Sequence, residues 1–157
     1  MIPAQVEQAE KRLLVRIGEL REAAPPGMTT AVSRFSHLGE YGRIWIAIGL
    51  AGALLDRPRR SGWRAALVRL VLAYAAGVAI KNVVRRPRPA PPRGGHVITT
   101  PTQLSFPSSH STTAFAAATA YRPLVAAALG ESSARVLLPL AAAMSLSRLY
   151  LGVHYPS

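Results

Sequence analysis

Residues 65–84 read AALVRLVLAYAAGVAIKNVV, an apolar run whose charged side chains are Arg69 and Lys81. Its length is that of a helix crossing a bilayer, roughly 20 residues. Three further apolar helical stretches accompany it. The first, 44–55, lies between Arg43 and Asp56 and needs its flanks to reach spanning length. The second, 111–129, is rich in Ala and carries Arg122-Pro123, where a kink or an early end is expected. The third, 134–153, contains Arg148. None is free of charge, so a soluble Ala-rich bundle also fits. Runs near spanning length that recur between Arg-rich junctions favour an all-α, polytopic membrane bundle.

The charge pattern agrees. The chain of 157 residues carries 19 Lys and Arg against 7 Asp and Glu, and half of it is hydrophobic. Arg57, Arg59, Arg60, Arg85, Arg86 and Arg93 sit at the ends of apolar stretches, where long basic side chains reach headgroups. A nucleic-acid surface would interleave basic residues with exposed aromatics, which are scarce here, so nucleic acid is not an expected partner. The expected partner is the lipid bilayer. The preference for Arg over Lys, with so much Ala, suggests a GC-rich bacterial genome and a multi-pass protein of the inner cell membrane.

Residues 1–27 lack the apolar core of a signal peptide. Val6, Ala9, Leu13, Ile17 and Leu20 instead form one helical stripe, and Pro25-Pro26-Gly27 ends it. That helix could pack on the remainder, 28–157, lie in the membrane interface, or pair with another subunit of a homo-oligomer. Charges on the two sides of the bundle nearly balance; the polar N-terminus tips the reading towards a cytoplasmic site.

Chemistry concentrates around a Pro-, Gly- and Arg-rich connector, 85–107, long enough to be a binding loop. The chain has no Cys, and no Asp or Glu lies between Asp56 and Glu131, so the middle of the protein offers neither a thiol nucleophile nor carboxylates for a metal. Three short pieces flank or end the apolar runs: KNVVRRPRP at 81–89, PSSH at 107–110 and SRLYLGVH at 147–154. In an up-down bundle all three fall at the same end. Each basic residue alone reads as an interfacial anchor, and His110 or His154 alone as a polar helix-end residue. Arg148 follows a long uncharged run and is harder to place in that way.

Taken together the pieces resemble the signature of the type 2 phosphatidic acid phosphatase superfamily: K-x6-R-P, P-S-G-H and S-R-x5-H-x3-D. Lys81, Arg88 and Pro89 fit the first; Pro107, Ser108 and His110 fit the second, with Ser109 in place of Gly; Ser147, Arg148 and His154 fit the third. The resemblance covers about residues 81–157. It implies an Asp just beyond Ser157 and a following helix, so the chain is expected to continue.

What the resemblance implies is a lipid phosphatase needing no metal or other cofactor. His154 would attack phosphorus to form a phosphohistidine, and His110 would serve as general acid and then base. Lys81, Arg88 and Arg148 would clamp the phosphoryl oxygens, with donors from Ser108 and Ser109 at a helix start. The implied substrate is a membrane lipid phosphate: phosphatidic acid, phosphatidylglycerol phosphate, a polyprenyl diphosphate, or a polyprenyl-linked sugar phosphate such as decaprenylphosphoryl-5-phosphoribose. The alternative is a membrane protein that binds phosphate headgroups without catalysis.

Overall fold

The computed structural model describes residues 4–89 and 98–156, so Arg93, Gly94 and Ser157 lie outside the described residues. Among the described residues there are α-helices α1 (Ala4–Glu22), α2 (Met28–Leu38), α3 (Arg43–Leu55), α4 (Arg60–Val84), α5 (Ser109–Leu129), α6 (Glu131–Arg135) and α7 (Leu137–Tyr150). Short 3-10 turns join α2 to α3 and α3 to α4, and one isolated β-bridge pairs Pro87 with Leu104. The all-α expectation holds among these residues.

Helix α5 is the centre, packed between α4 and α7, while α3 lies against α4. The reason is its Ala face. Ala114, Ala117, Ala118 and Tyr121 recur at i, i+3, i+4 and i+7, and all four are fully buried. Side chains this small let neighbouring helices approach closely, as small residues do between membrane helices. Tyr121 fills the far end of the seam. Its hydroxyl donates to the Trp45 carbonyl at 2.9 Å, and its ring lies 5.3 Å from that of Trp63 at 50°. The α3 side of this contact needs glycine at two places: a Cβ at Gly49 would overlap the Tyr121 hydroxyl and Leu67, and one at Gly52 would overlap the Trp63 ring.

Helix α5 runs to Leu129, the end of the expected stretch 111–129, so the early end allowed for at Arg122-Pro123 does not occur. The lost hydrogen bond and ring clash cost about 3 kcal/mol, and burial of α5 between two helices outweighs them. Stretch 134–153 is not one helix. Val136 separates α6 from α7, because the Pro139 ring would collide with the carbonyl of Arg135 in a continuous helix. Helix α7 then stops at Tyr150, and Gly152 (φ 71°) turns the chain, which leaves His154 on a tight turn. Helix α2 lies outside the four apolar stretches read from the sequence. The stripe expected on α1 is also corrected: the helix packs on α7 with Glu10, Leu14, Ile17, Gly18 and Arg21 on its sheltered side, whereas Val6, Leu13 and Leu20 of the expected stripe are exposed.

By length and composition, Arg57–Val84 can cross a bilayer, and Met28–Leu38 with Glu40–Leu55, bent by 48°, qualifies as a pair. Helices α5 and α7 do not meet that test among the described residues.

The tight α3–α5 seam yields a test. Gly49→Ala is expected to cost about 1–3 kcal/mol, the usual penalty for overpacking, by displacing the Tyr121 hydroxyl from the Trp45 carbonyl. Denaturant unfolding in detergent measures it; a variant as stable as the parent would show that the seam can open without loss.

Candidate active site

Four segments deliver the charged residues to one place. Lys81 lies in the last turn of α4 and is buried, its Nζ donating to Ser109 Oγ at 3.2 Å. Arg88 arrives differently. Pro87 bars Arg86 from helical geometry, so α4 ends at Val84, and Arg85 takes a left-handed conformation at φ 51°. The chain then runs extended and pairs with the returning end of the connector: Arg88 N–H donates to the Gln103 carbonyl (3.1 Å) and Ser105 N–H to the Arg86 carbonyl (2.8 Å). A helix carrying Lys81 and Arg88 on one face is therefore not what joins them; a short β-pairing does.

That pairing fixes the Arg88 guanidinium by its donors. Nε donates to the Thr102 carbonyl (2.7 Å), and Nη1 donates to the Val153 carbonyl (2.6 Å) and to His154 Nε2 (3.0 Å). A guanidinium only donates, so His154 Nε2 must be the unprotonated nitrogen, its lone pair facing the cation. Burial lowers the His154 pKa from 6.5 to about 2, and Arg88, Arg148 and Lys81 push it the same way, with the Ser105 backbone in partial opposition. His154 is thus a neutral imidazole, the form that attacks an electrophile.

Helix α5 starts at the other side of the site. Ser108 is its N-cap, with Oγ accepting from Ser111 N–H at 3.4 Å, so its hydroxyl serves the helix end. Ser109 and His110 follow in the first turn. The His110 ring is buried, and its Nε2 lies 3.1 Å from the Ser36 carbonyl. A carbonyl only accepts, so His110 carries its proton on Nε2 and leaves Nδ1 to exchange one. Arg148, in the last turn of α7, is also buried and donates from Nη1 to Ser36 Oγ at 2.6 Å. Its Nε has no hydrogen-bond partner among the described residues.

Lys81, Arg88, Ser109, His110, Arg148 and His154 all line one cavity of about 190 Å³. Three cations and two imidazoles thus face a common space large enough for a phosphate group. Among the described residues no carboxylate forms an ion pair with any of the three cations.

Sequence reasoning missed Ser36, Glu40 and Ser105. Ser36 is fully buried and uses its carbonyl on His110 and its hydroxyl on Arg148. Nothing in the local sequence of α2 marks it. Glu40 lines the cavity near Arg148. Ser105 is a buried side chain that donates to the Pro87 carbonyl at 2.9 Å, doubling the backbone pairing beside Arg88.

A family model described as PAP2 superfamily matches residues 62–157. The chain belongs to the PAP2 superfamily. It is 44% identical over 135 residues to a protein named decaprenylphosphoryl-5-phosphoribose phosphatase from Mycolicibacterium smegmatis, covering 86% of this chain and 71% of that one. A Mycobacterium tuberculosis protein of the same name is 42% identical over 132 residues, covering 84% and 71%. The fold is similar to the crystal structure of a transmembrane PAP2 type phosphatidylglycerolphosphate phosphatase from Bacillus subtilis. The TM-score is 0.77 at 21% identity, over 98% of this chain and 76% of that one. The family match begins after α3, so Ser36 lies outside it, while its two partners, His110 and Arg148, lie inside.

Two outcomes are expected. Ser36→Ala leaves the buried Arg148 guanidinium short of an acceptor and should cost about 1–3 kcal/mol in denaturant unfolding. Because the His154 pKa is depressed in the folded state, the unfolded chain binds the extra proton between pH 6.5 and about 2. The His154 contribution to stability is therefore complete above 6.5 and is lost as pH falls through that window. A His154→Gln variant should show a shallower acid slope; an unchanged slope would mean that the ring is not held neutral.

Proposed function

We propose that this PAP2 phosphatase is a multi-pass membrane enzyme that removes the terminal phosphate of a polyprenyl-linked sugar phosphate, with decaprenylphosphoryl-5-phosphoribose as the leading candidate. The observation that carries the reaction is the shared cavity, in which His154 Nε2 holds a lone pair among Lys81, Arg88 and Arg148. The substrate class rests on two relatives above 40% identity that carry that lipid in their names. They favour it over phosphatidic acid and phosphatidylglycerol phosphate.

The mechanism follows from the donors. A phosphomonoester dianion entering the cavity supplies an anionic acceptor to three cations that form no ion pair among the described residues. Arg88 Nη1 moves its bond from His154 Nε2 to a phosphoryl oxygen, which frees the lone pair. The bound dianion favours the imidazolium of His110, which takes a proton from solvent on Nδ1. His154 Nε2 then forms a bond to phosphorus as the bond to the substrate's ester oxygen breaks, and His110 Nδ1–H delivers the proton that oxygen needs. Water next attacks the phosphohistidine, giving its proton to His110 and releasing inorganic phosphate from His154. Charge on the equatorial oxygens is stabilised by the guanidinium forks of Arg88 and Arg148 and the point charge of Lys81. Among the described residues no group of three or more His, Cys, Asp or Glu gathers as a metal site. The cations supply the electrostatic stabilisation instead.

Membrane placement is supported by α4. Val68, Val71, Leu72, Ile80 and Val83 are exposed along it, and only 17% of its apolar window is buried. Such a face is stable against acyl chains, and a lipid substrate would reach the cavity through that phase.

His154→Ala is expected to abolish phosphate release from the lipid by purified protein while the helical content is unchanged; wild-type turnover would remove the nucleophile assignment. His110→Ala should lose about 10²–10⁴-fold in kcat, the usual worth of a general acid–base group. Activity should survive EDTA, and strict dependence on added Mg²⁺ would contradict the mechanism.

A further inference from the structure

The turn that carries His154 is gripped from outside the catalytic cavity. Arg86 lies between Lys81 and Arg88, yet its side chain points away from them. Its Nη2 bonds Glu10 Oε2 of α1 at 2.6 Å, and its guanidinium carbon stacks 4.0 Å over the ring of Tyr155, the residue after the nucleophile. Both ends of the ion pair are nearly enclosed, the side chains being 13% and 5% exposed for Arg86 and Glu10. The Arg86 carbonyl meanwhile accepts from Ser105 N–H at 2.8 Å. A second grip lies about three turns further along α1, where Arg21 Nη1 donates to the Tyr150 carbonyl at 3.1 Å. The tight turn 150–155 is thus fastened to α1 near both ends.

We propose that Glu10, Arg86 and Tyr155 form a positioning latch through which α1 sets the orientation of His154. The chemistry favours this over simple stapling. A buried ion pair is weak evidence for added stability, because desolvation offsets its Coulomb attraction, but it fixes geometry where its hydrogen bonds are short. An arginine stacked on an aromatic face adds a second directional restraint. The restraint acts one residue from Nε2, where misplacement by about 1 Å can cost on the order of 10²-fold in rate. None of the three residues lines the cavity, so all are positioning residues rather than catalytic ones.

The latch rests on the nucleophile assignment for His154, and the experiment separates the two. Full-length variants purified in detergent are assayed with the polyprenyl-linked phosphate for kcat, KM and the single-turnover rate of phosphoenzyme formation. Tyr155→Leu and Glu10→Gln are expected to lower kcat and the phosphorylation rate at least about tenfold, with KM within about twofold of the parent. Tyr155→Phe keeps the ring and should match the parent. Because Glu10→Gln strands a buried guanidinium and can unfold the protein, the paired Glu10→Met/Arg86→Met variant removes both charges; it should fold yet keep the low kcat. Parent-like kcat in Tyr155→Leu and in the double variant, with His154→Ala inactive, would overturn the latch and spare the nucleophile. Losses that follow only the folded fraction would also overturn it. Turnover by His154→Ala would overturn the reading beneath it.

Discussion

Three cations, Lys81 and Arg148 buried and Arg88 half-buried, with no carboxylate ion pair among the described residues, are the constraint on which the site depends. Lys81, Arg88 and Arg148 face one cavity, and the groups they bond are hydroxyls, backbone carbonyls and an imidazole nitrogen. Neutral acceptors hold a cation in place without cancelling its charge. The like charges must therefore be kept apart by the fold, and a dianion of the right size relieves them all at once. Burial first, and the same three cations after it, keep His154 neutral and hence nucleophilic. Substrate binding and nucleophile activation thus share the three cations.

The fold meets that constraint with unlike devices. Helix ends place Lys81 and Arg148, each in a last turn where the carbonyl dipoles favour positive charge. Arg88 could not be delivered so, because Pro87 and Pro89 forbid a helix there. It rides on a two-strand contact between the ends of the connector, and the left-handed Arg85 is the local strain that accepts the change of direction. The Ala face of α5 then draws α4 and α7 close enough for the segments to share one cavity.

How much of this could be read beforehand differs by residue. The six cavity residues were legible only as a set: each alone reads as an anchor or a helix-end residue, and it is the resemblance to the family signature that joins them. Ser108 was placed at the right helix start but serves as its cap. Ser36 was invisible: a serine among other polar residues acquires meaning only when α2 brings it against α5 and α7, more than seventy positions away. The α1 stripe misled for a related reason. Apolar periodicity locates the face a helix can bury in isolation, while here the Glu10–Arg86 pair and Arg21 chose the packed face and left Val6, Leu13 and Leu20 outside. Long-range ion pairs are not written in local periodicity. The early end allowed for at Pro123 does not form, because its local cost is overridden by tertiary packing.

The most direct test of the account is rapid quenching of the enzyme during turnover of substrate labelled on its terminal phosphate, followed by mapping of the labelled peptide. The account predicts label on His154, stable to alkali and released by acid. Turnover with no covalent label at any time, or label carried by another residue, would contradict it.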